Sequence, residues 1–356
     1  MPFTFKYVPV LRSRQQELIV LDSFDFGDRI YPLLEIIKEK DRVNNPRTPQ
    51  DIWLGHIANA HAARVLVDLP VYIRDTSSMQ DDVLYFNRTM LSNIERRMAF
   101  FESLASARER IIPVISSLFQ KTGEAGTLNT QIQAVRNHFD TIAIRTFTSS
   151  FDTDFAEIQA HLAPDDILIY DMDTAQPLNP LVKRHKTRLD VVQGAYKVAI
   201  RSAINTEIQN IKLDHGEVVA DADNSLLDVF QTILGMDAFG DYTGIKKDDL
   251  NAGGTISPGF IFYDPLDNLF YGFKGEVKSL SEFETTIVPA VLSSPVVQRL
   301  LTEHSSFLSD DNPGYQQLLA IQAGAESGKS QAKFKRISME HYLHCIRTKI
   351  QEGDFG

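Results

Sequence analysis

The amino-acid sequence predicts a single α/β domain over residues 1–356, a (β/α)8 barrel of the TIM-barrel type. Three observations predict this fold class. Short apolar runs rich in β-branched residues recur eight times, long amphipathic segments separate them, and the eight units extend over about 240 residues. Parallel strands need such long crossovers, and barrels of this type typically contain about 250 residues.

Each predicted strand is apolar along most of its length, as expected where helices cover both faces of a parallel sheet. The eight runs lie at residues 7–12, 30–36, 64–70, 110–117, 141–147, 167–173, 197–203 and 241–245. An open, doubly wound sheet is the alternative. The number of runs favours a closed barrel, and so does the lack of a Gly-rich loop after the first run, where dinucleotide-binding sheets usually carry one.

Helix signals fill the segments between the predicted strands. Thr48 is a candidate N-cap, Pro49 suits the first helical position, and Asp51 places a carboxylate in the first turn. Further along the chain, Phe155 and Ile158 begin an apolar stripe at helical spacing. Strands and helices therefore alternate in the sequence.

Two segments fall outside this alternation. Residues 76–108, after the third strand, contain an extra predicted helix with an apolar face made by Leu91, Ile94, Met98, Phe101 and Leu104. Residues 259–276 contain two aromatic-rich runs around a turn-forming stretch, which predicts a β-hairpin after the eighth strand. Because loops that follow barrel strands emerge at one face, we expect the hairpin to lie over the barrel mouth.

Composition argues against several classes of function and location. The formal charge is -11 and no basic tract of five or more residues occurs, so non-specific nucleic-acid binding is not expected. Cys345 is the single cysteine, which excludes an internal disulfide. No apolar stretch reaches the roughly 20 residues that span a bilayer, and residues 1–6 lack a signal-peptide pattern. A cytoplasmic protein without membrane contact is therefore expected.

Ionisable residues occur late in six of the predicted strands. They are Arg12, Glu35, Asp68, Arg145, Asp171 and Arg201. In a barrel the carboxyl ends of all strands line one rim, so these six side chains are expected to share one mouth. Active sites of this fold lie at that end, which makes the mouth the candidate ligand site.

The residue types indicate two kinds of chemistry. Arg12, Arg145 and Arg201 are candidates for binding an anion, because the guanidinium fork matches phosphate and carboxylate. The carboxylates of Glu35, Asp68 and Asp171 are candidates for general acid–base catalysis, or for holding a divalent cation such as Mg²⁺. Lys274 on the hairpin and Asp241 at the eighth strand are further candidate ligand-binding residues.

Four short motifs of the sequence are similar to those of a known protein family. They lie at residues 7–12, 31–36 and 239–242 and in the helix around residues 341–344. With these motifs the sequence resembles the so-called beta proteins of phages and bacteria. The resemblance implies a role in phages, mobile elements or antiviral defence, and implies no reaction and no catalytic residue.

Two hypotheses remain open at this point. In the first, the mouth binds, and in an enzyme would hydrolyse, a small anionic ligand such as a nucleotide or another phosphate ester. In the second, the arginines and acids form a structural salt-bridge network, and the protein is a non-catalytic interaction or sensor module with a protein partner.

Overall fold

The computed structural model describes residues 3–39, 47–247, 250 and 256–355. Thirteen β-strands occur in this part of the chain. They are β1 (Tyr7–Arg12), β2 (Asp25–Gly27), β3 (Leu33–Glu35), β4 (His61–Ala62), β5 (Val65–Asp68), β6 (Ile111–Ile115), β7 (Ala143–Phe147), β8 (Ile167–Asp171), β9 (Tyr196–Ile200), β10 (Glu217–Val218), β11 (Ala238–Asp241), β12 (Gly259–Asp264) and β13 (Leu269–Lys274).

Thirteen α-helices occur in the same residues. They are α1 (Gln15–Ser23), α2 (Pro49–Asn59), α3 (Asp81–Phe86), α4 (Ile94–Ser103), α5 (Phe119–Thr122), α6 (Thr127–Arg136), α7 (Phe151–His161), α8 (Pro180–Leu189), α9 (Ser225–Val229), α10 (Val288–Leu292), α11 (Pro295–Glu303), α12 (Pro313–Gln322) and α13 (Gln331–Glu352). Among the described residues, no helix combines the length and the apolar character that crossing a bilayer requires.

Eight parallel strands close into a barrel, which confirms the predicted fold class. Around the barrel the strands follow the order β1, β11, β9, β8, β7, β6, β5 and β3, and β3 pairs with β1 to close it. Every residue of β1, β5, β6, β7 and β8 is buried. Continuous burial explains why these strands are apolar runs in the sequence and do not alternate.

The eighth barrel strand lies earlier in the chain than its predicted position of residues 241–245. It is β11, Ala238–Asp241. Thr243 and Gly244 both have positive φ angles, of 55° and 67°, so the chain turns immediately after Asp241. A β-branched residue such as Thr243 has a strong extended preference, and the turn overrides it.

The start of α2 agrees with the predicted cap. Thr48 Oγ1 accepts a hydrogen bond from the Asp51 amide at 3.2 Å, and Asp51 Oδ2 accepts one from the Thr48 amide at 3.1 Å. This reciprocal capping box satisfies two amides that the helix itself leaves unpaired. Pro49 occupies the first turn, where its missing N–H has no cost.

The described residues divide into two compact units. The first contains residues 3–39, 47–201, 226–241 and 250, and with them the closed barrel. After β5 it carries the predicted helical insertion, formed by α3, a π-helix at Asn87–Leu91 and α4. The predicted single-domain organisation stays a prediction.

The second unit contains residues 202–225, 242–247 and 256–355. The predicted hairpin is present in it as the antiparallel pair β12 and β13, to which β10 adds a third strand. Helix α13 packs on β12: the His341 ring stacks on Phe262, and Ser338 donates a hydrogen bond to the Ile261 carbonyl at 3.0 Å. The hairpin's expected position over the barrel mouth stays a prediction.

Candidate functional site

The barrel register aligns several of the predicted charged residues. Arg12 at the end of β1 pairs with Glu35 at the end of β3, and Glu35 pairs with Asp68 at the end of β5. Asp171, at the end of β8, pairs with Phe147 at the end of β7. These side chains therefore emerge at the carboxyl end of the barrel, where active sites of this fold lie.

Arg145 is the centre of a charged network at this end. Its Nη1 donates to Glu35 Oε1 at 2.8 Å and to Asp68 Oδ2 at 2.6 Å. Its Nε and Nη2 donate to Asp171 Oδ2, at 3.1 and 2.5 Å. All four side chains are fully buried. We call Arg12, Glu35, Asp68, Arg145 and Asp171 the mouth cluster.

Arg12 and Tyr72 complete the contacts of Glu35. Arg12 Nε donates to Glu35 Oε2 at 3.1 Å, and the Tyr72 hydroxyl donates to the same oxygen at 2.7 Å. Arg12 Nη2 donates in turn to the Tyr72 hydroxyl oxygen at 3.0 Å. The Tyr72 ring also lies 5.2 Å from Arg145 Cζ. No sequence pattern singled out Tyr72, which lies in the loop after the third barrel strand.

The remaining predicted site residues have other contacts. Arg201 Nε donates to the Ala175 carbonyl at 2.9 Å, and the Tyr7 hydroxyl donates to Asp241 Oδ1 at 2.6 Å. Lys274 belongs to the second unit, where its Nζ lies 3.9 Å from Asp214 Oδ1. Ligand-binding roles for Arg201, Asp241 and Lys274 stay predictions.

The pKa of Asp68 is raised within the mouth cluster. Burial raises the pKa of its carboxyl to about 6, the Arg145 guanidinium opposes that rise, and the Glu35 carboxylate adds to it. Its Oδ1 atom is buried and has no hydrogen-bond partner among the described residues. A carboxyl with a pKa near 6 can take up or release a proton close to neutral pH, as a general acid or base must.

Arg97 on α4 is a second buried charge near Asp68, and it was not among the predicted site residues. Its side chain is fully buried, and none of its three guanidinium nitrogens has a hydrogen-bond partner in the described part of the chain. Burial lowers the pKa of Arg97 to about 10, and the negative charge of Asp68 opposes this. One feature of the sequence could have identified Arg97. It lies beside Ile94, Met98 and Phe101, which form the apolar face of the insertion.

Lys121, on α5, adds a third cation to this region. Its Nζ donates to the Ile73 carbonyl at 2.6 Å and also to Asn87 Oδ1. Burial lowers the pKa of Lys121 to about 8, the negative charge of Asp75 opposes this, and the Arg97 charge lowers it further. Because Asn87 begins the π-helix of the insertion, Lys121 connects the insertion to α5, which follows β6.

The carboxylates do not converge on an open centre. Glu35, Asp68 and Asp171 all direct an oxygen at Arg145. Across residues 3–39, 47–247, 250 and 256–355, no group of three or more His, Cys, Asp or Glu side chains is arranged to hold a metal ion. A divalent cation such as Mg²⁺ stays a prediction.

The fold and this cluster define a closed parallel (β/α)8 barrel with buried charges at the carboxyl ends of its strands. The family model described as Beta protein matches residues 7–347, nearly the whole chain. The chain therefore belongs to the beta protein family, as its sequence motifs predicted. A comparison with the curated proteins found no match.

Proposed function

We propose that the carboxyl end of the barrel binds a small anionic ligand, with Arg97 as its main hydrogen-bond donor and Asp68 as a proton acceptor or donor. One observation carries this proposal: two fully buried groups near each other, the Arg97 guanidinium and Asp68 Oδ1, have unfilled hydrogen-bonding capacity within the described residues. Each influences the pKa of the other, which places their charges within electrostatic reach.

The unpaired groups destabilise the folded protein. A buried polar group without a partner costs about 1–3 kcal/mol, and an unpaired buried charge costs more. A guanidinium carries five N–H donors, so Arg97 would strongly destabilise the folded state of a protein that never binds an anion there. A bound oxyanion would accept several of those hydrogen bonds and supply the missing negative charge.

The chemistry available to such a ligand includes proton exchange. With a pKa of about 6, the Asp68 carboxyl is mostly ionised at pH 7 but readily protonated. Hydrolysis or transfer at a phosphate ester would use this group together with an arginine that holds the phosphate. Hydrolysis of the bound ligand stays a prediction, and so does a role in phages or antiviral defence.

Titration calorimetry with inorganic phosphate and with AMP tests the proposal. We expect at least one of these probes to bind the wild-type protein, and the Arg97→Met variant to lose that binding. The same variant should be as stable as the wild type, or more stable, because it removes an unpaired buried charge. Arg96→Met is the matched control, since Arg96 is the exposed neighbour on the same helix.

Two results would contradict this proposal. One is the absence of binding of either probe to the wild-type protein. The other is equal binding to the wild type and to Arg97→Met, which would show that the anion binds elsewhere.

A specific observation also favours a second candidate function. The mouth cluster is internally paired: Arg145 alone contacts three carboxylates of the chain, and Arg12 contacts Glu35. These residues can thus act as a structural network in a non-catalytic interaction or sensor protein. In that case Arg145 would contribute to stability and not to ligand binding, and a protein partner would bind at another surface.

A further inference from the structure

We infer that the ligand of this site is an oxyanion that shares a proton with Asp68, such as hydrogen phosphate or a phosphomonoester, and that a fully ionised oxyanion such as sulfate is disfavoured. This inference rests on the proposed function and names its ligand class. It follows from the types of hydrogen-bonding atom that Arg97 and Asp68 leave unfilled.

The two unfilled groups require different partners. The Arg97 guanidinium has only donors, so it needs acceptor oxygens. Asp68 Oδ1 in the ionised carboxylate is an acceptor, so it needs a donor. A ligand that satisfies both must therefore present oxygen acceptors on one side and an O–H group on the other.

Hydrogen phosphate and the singly ionised phosphomonoester have both features. Their unprotonated oxygens can accept from Arg97, while the P–OH group donates to Asp68 Oδ1. For the phosphomonoester, the equivalent state has the proton on Asp68 and a fully ionised phosphate group, so that one proton lies between the two oxygens in either description. Sulfate carries no proton near neutral pH, so it can bind beside Asp68 only when Asp68 itself is protonated, and this requirement lowers its affinity above the Asp68 pKa of about 6.

The charges around Asp68 support this sharing of one proton. Arg145 on β7 and Arg97 on α4 are the cations that act on it, and Glu35 on β3 is the neighbouring anion. Arg145 donates to Oδ2 and leaves Oδ1 for the ligand. Lys121 acts on Arg97 from α5 and adds positive charge to the same region.

Burial of the site affects how the measurement is made. Asp68 and Arg97 are both fully buried, so a ligand reaches them only when the surrounding chain opens. Arg97 lies in the insertion on α4, which begins three residues after the π-helix Asn87–Leu91, and π-helical turns are frequent at functional sites. Binding is therefore expected to be slow, and it should be measured after long equilibration.

The test compares sodium phosphate with sodium sulfate at equal ionic strength. We expect the wild-type protein to bind phosphate at least about tenfold more tightly than sulfate at pH 7. In Asp68→Asn the negative charge is gone and the amide can donate to either anion. We expect the preference for phosphate in that variant to fall below about threefold.

Asp166→Asn is the matched control for loss of a buried carboxyl. Asp166 is fully buried and paired with Arg136, just before β8, at the opposite end of that strand from Asp171. This variant is expected to keep the preference for phosphate, whatever its stability.

A second measurement needs no variant. Once both Asp68 and a phosphomonoester such as AMP have lost their protons, wild-type affinity for AMP should fall about tenfold per pH unit, because one proton must be taken up on binding. Sulfate has no proton of its own to share, so its affinity should already fall about tenfold per pH unit from the pKa of Asp68, about 6, upward.

The outcomes separate the two proposals. Equal binding of phosphate and sulfate by the wild type, or an unchanged phosphate preference in Asp68→Asn, overturns the shared proton but leaves anion binding intact. An AMP affinity that does not fall at high pH has the same consequence. If neither anion binds the wild-type protein, the proposed function itself fails.

Discussion

Replacing Arg145 with methionine should destabilise the barrel strongly. The guanidinium makes four hydrogen bonds to Glu35, Asp68 and Asp171, and all of these side chains are fully buried. Removing one partner of a buried ion pair costs about 3–5 kcal/mol, because the other charge remains without compensation. Here three carboxylates lose the same cation, so we expect the upper part of that range at pH 8.

The loss should be smaller at pH 5. Asp68 has a folded-state pKa of about 6, above its ordinary value of 3.8, so below pH 6 it is increasingly neutral and needs no cation. Urea unfolding at both pH values measures the effect. Trp53 is the single tryptophan of the chain and is fully buried in α2, so its fluorescence reports on the barrel unit.

Two variants serve as controls for this experiment. Arg145→Lys keeps the charge but not the fork, and should recover only part of the lost stability. Arg96→Met removes an exposed arginine and should change the free energy of unfolding by less than about 0.5 kcal/mol. A cost below about 1 kcal/mol for Arg145→Met at pH 8 would refute the assignment of Arg145 as the centre of a buried network.

Two further predictions concern stability. Because the folded-state pKa of Asp68 is raised, this carboxyl should contribute a loss of about 3 kcal/mol as pH rises from 4 to above 6, and the difference in unfolding free energy between the wild type and Asp68→Asn should change by that amount in urea unfolding. At Gly240 an added Cβ would lie 2.5 Å from the Val8 carbonyl oxygen, so Gly240→Ala should cost about 1–3 kcal/mol. Gly55→Ala, in a helix with open space around it, is the matched control and should stabilise the protein slightly; equal effects of the two alanines would contradict the close approach of β11 to β1.

The barrel was predictable because parallel strands buried on both faces are unusually visible in a sequence. β1, β5 and β7 are apolar runs with a charge at or near the end, and all three lie within their predicted ranges. The eighth strand was placed wrongly because β11 contains Gly240 and only one large apolar side chain, Phe239. Its extended conformation depends on pairing with β1 and β9, which local sequence does not record.

The site was only partly predictable. A charge late in a barrel strand indicates the mouth, and that rule found the members of the mouth cluster. It could not show that Arg145 contacts Glu35, which lies 110 positions away in the chain, or that Asp68 keeps one oxygen unpaired. Arg97 was missed because it comes from the insertion, and no strand-end rule applies to a helix.

Stability alone gives no reason for this arrangement. Replacing a buried ionic network by apolar residues of similar volume is often neutral or stabilising by about 1–4 kcal/mol. For stability alone, leucine and valine side chains would therefore serve at least as well at this end of the barrel. The mouth cluster offsets its desolvation with close pairing around Arg145, but Arg97 and Asp68 Oδ1 have no such compensation among the described residues. Pairing accounts for the other contacts of the cluster, and the proposed oxyanion would account for the two groups that pairing leaves without a partner in the described part of the chain. That difference is why Arg145→Met should chiefly reduce stability, whereas Arg97→Met should chiefly remove ligand binding.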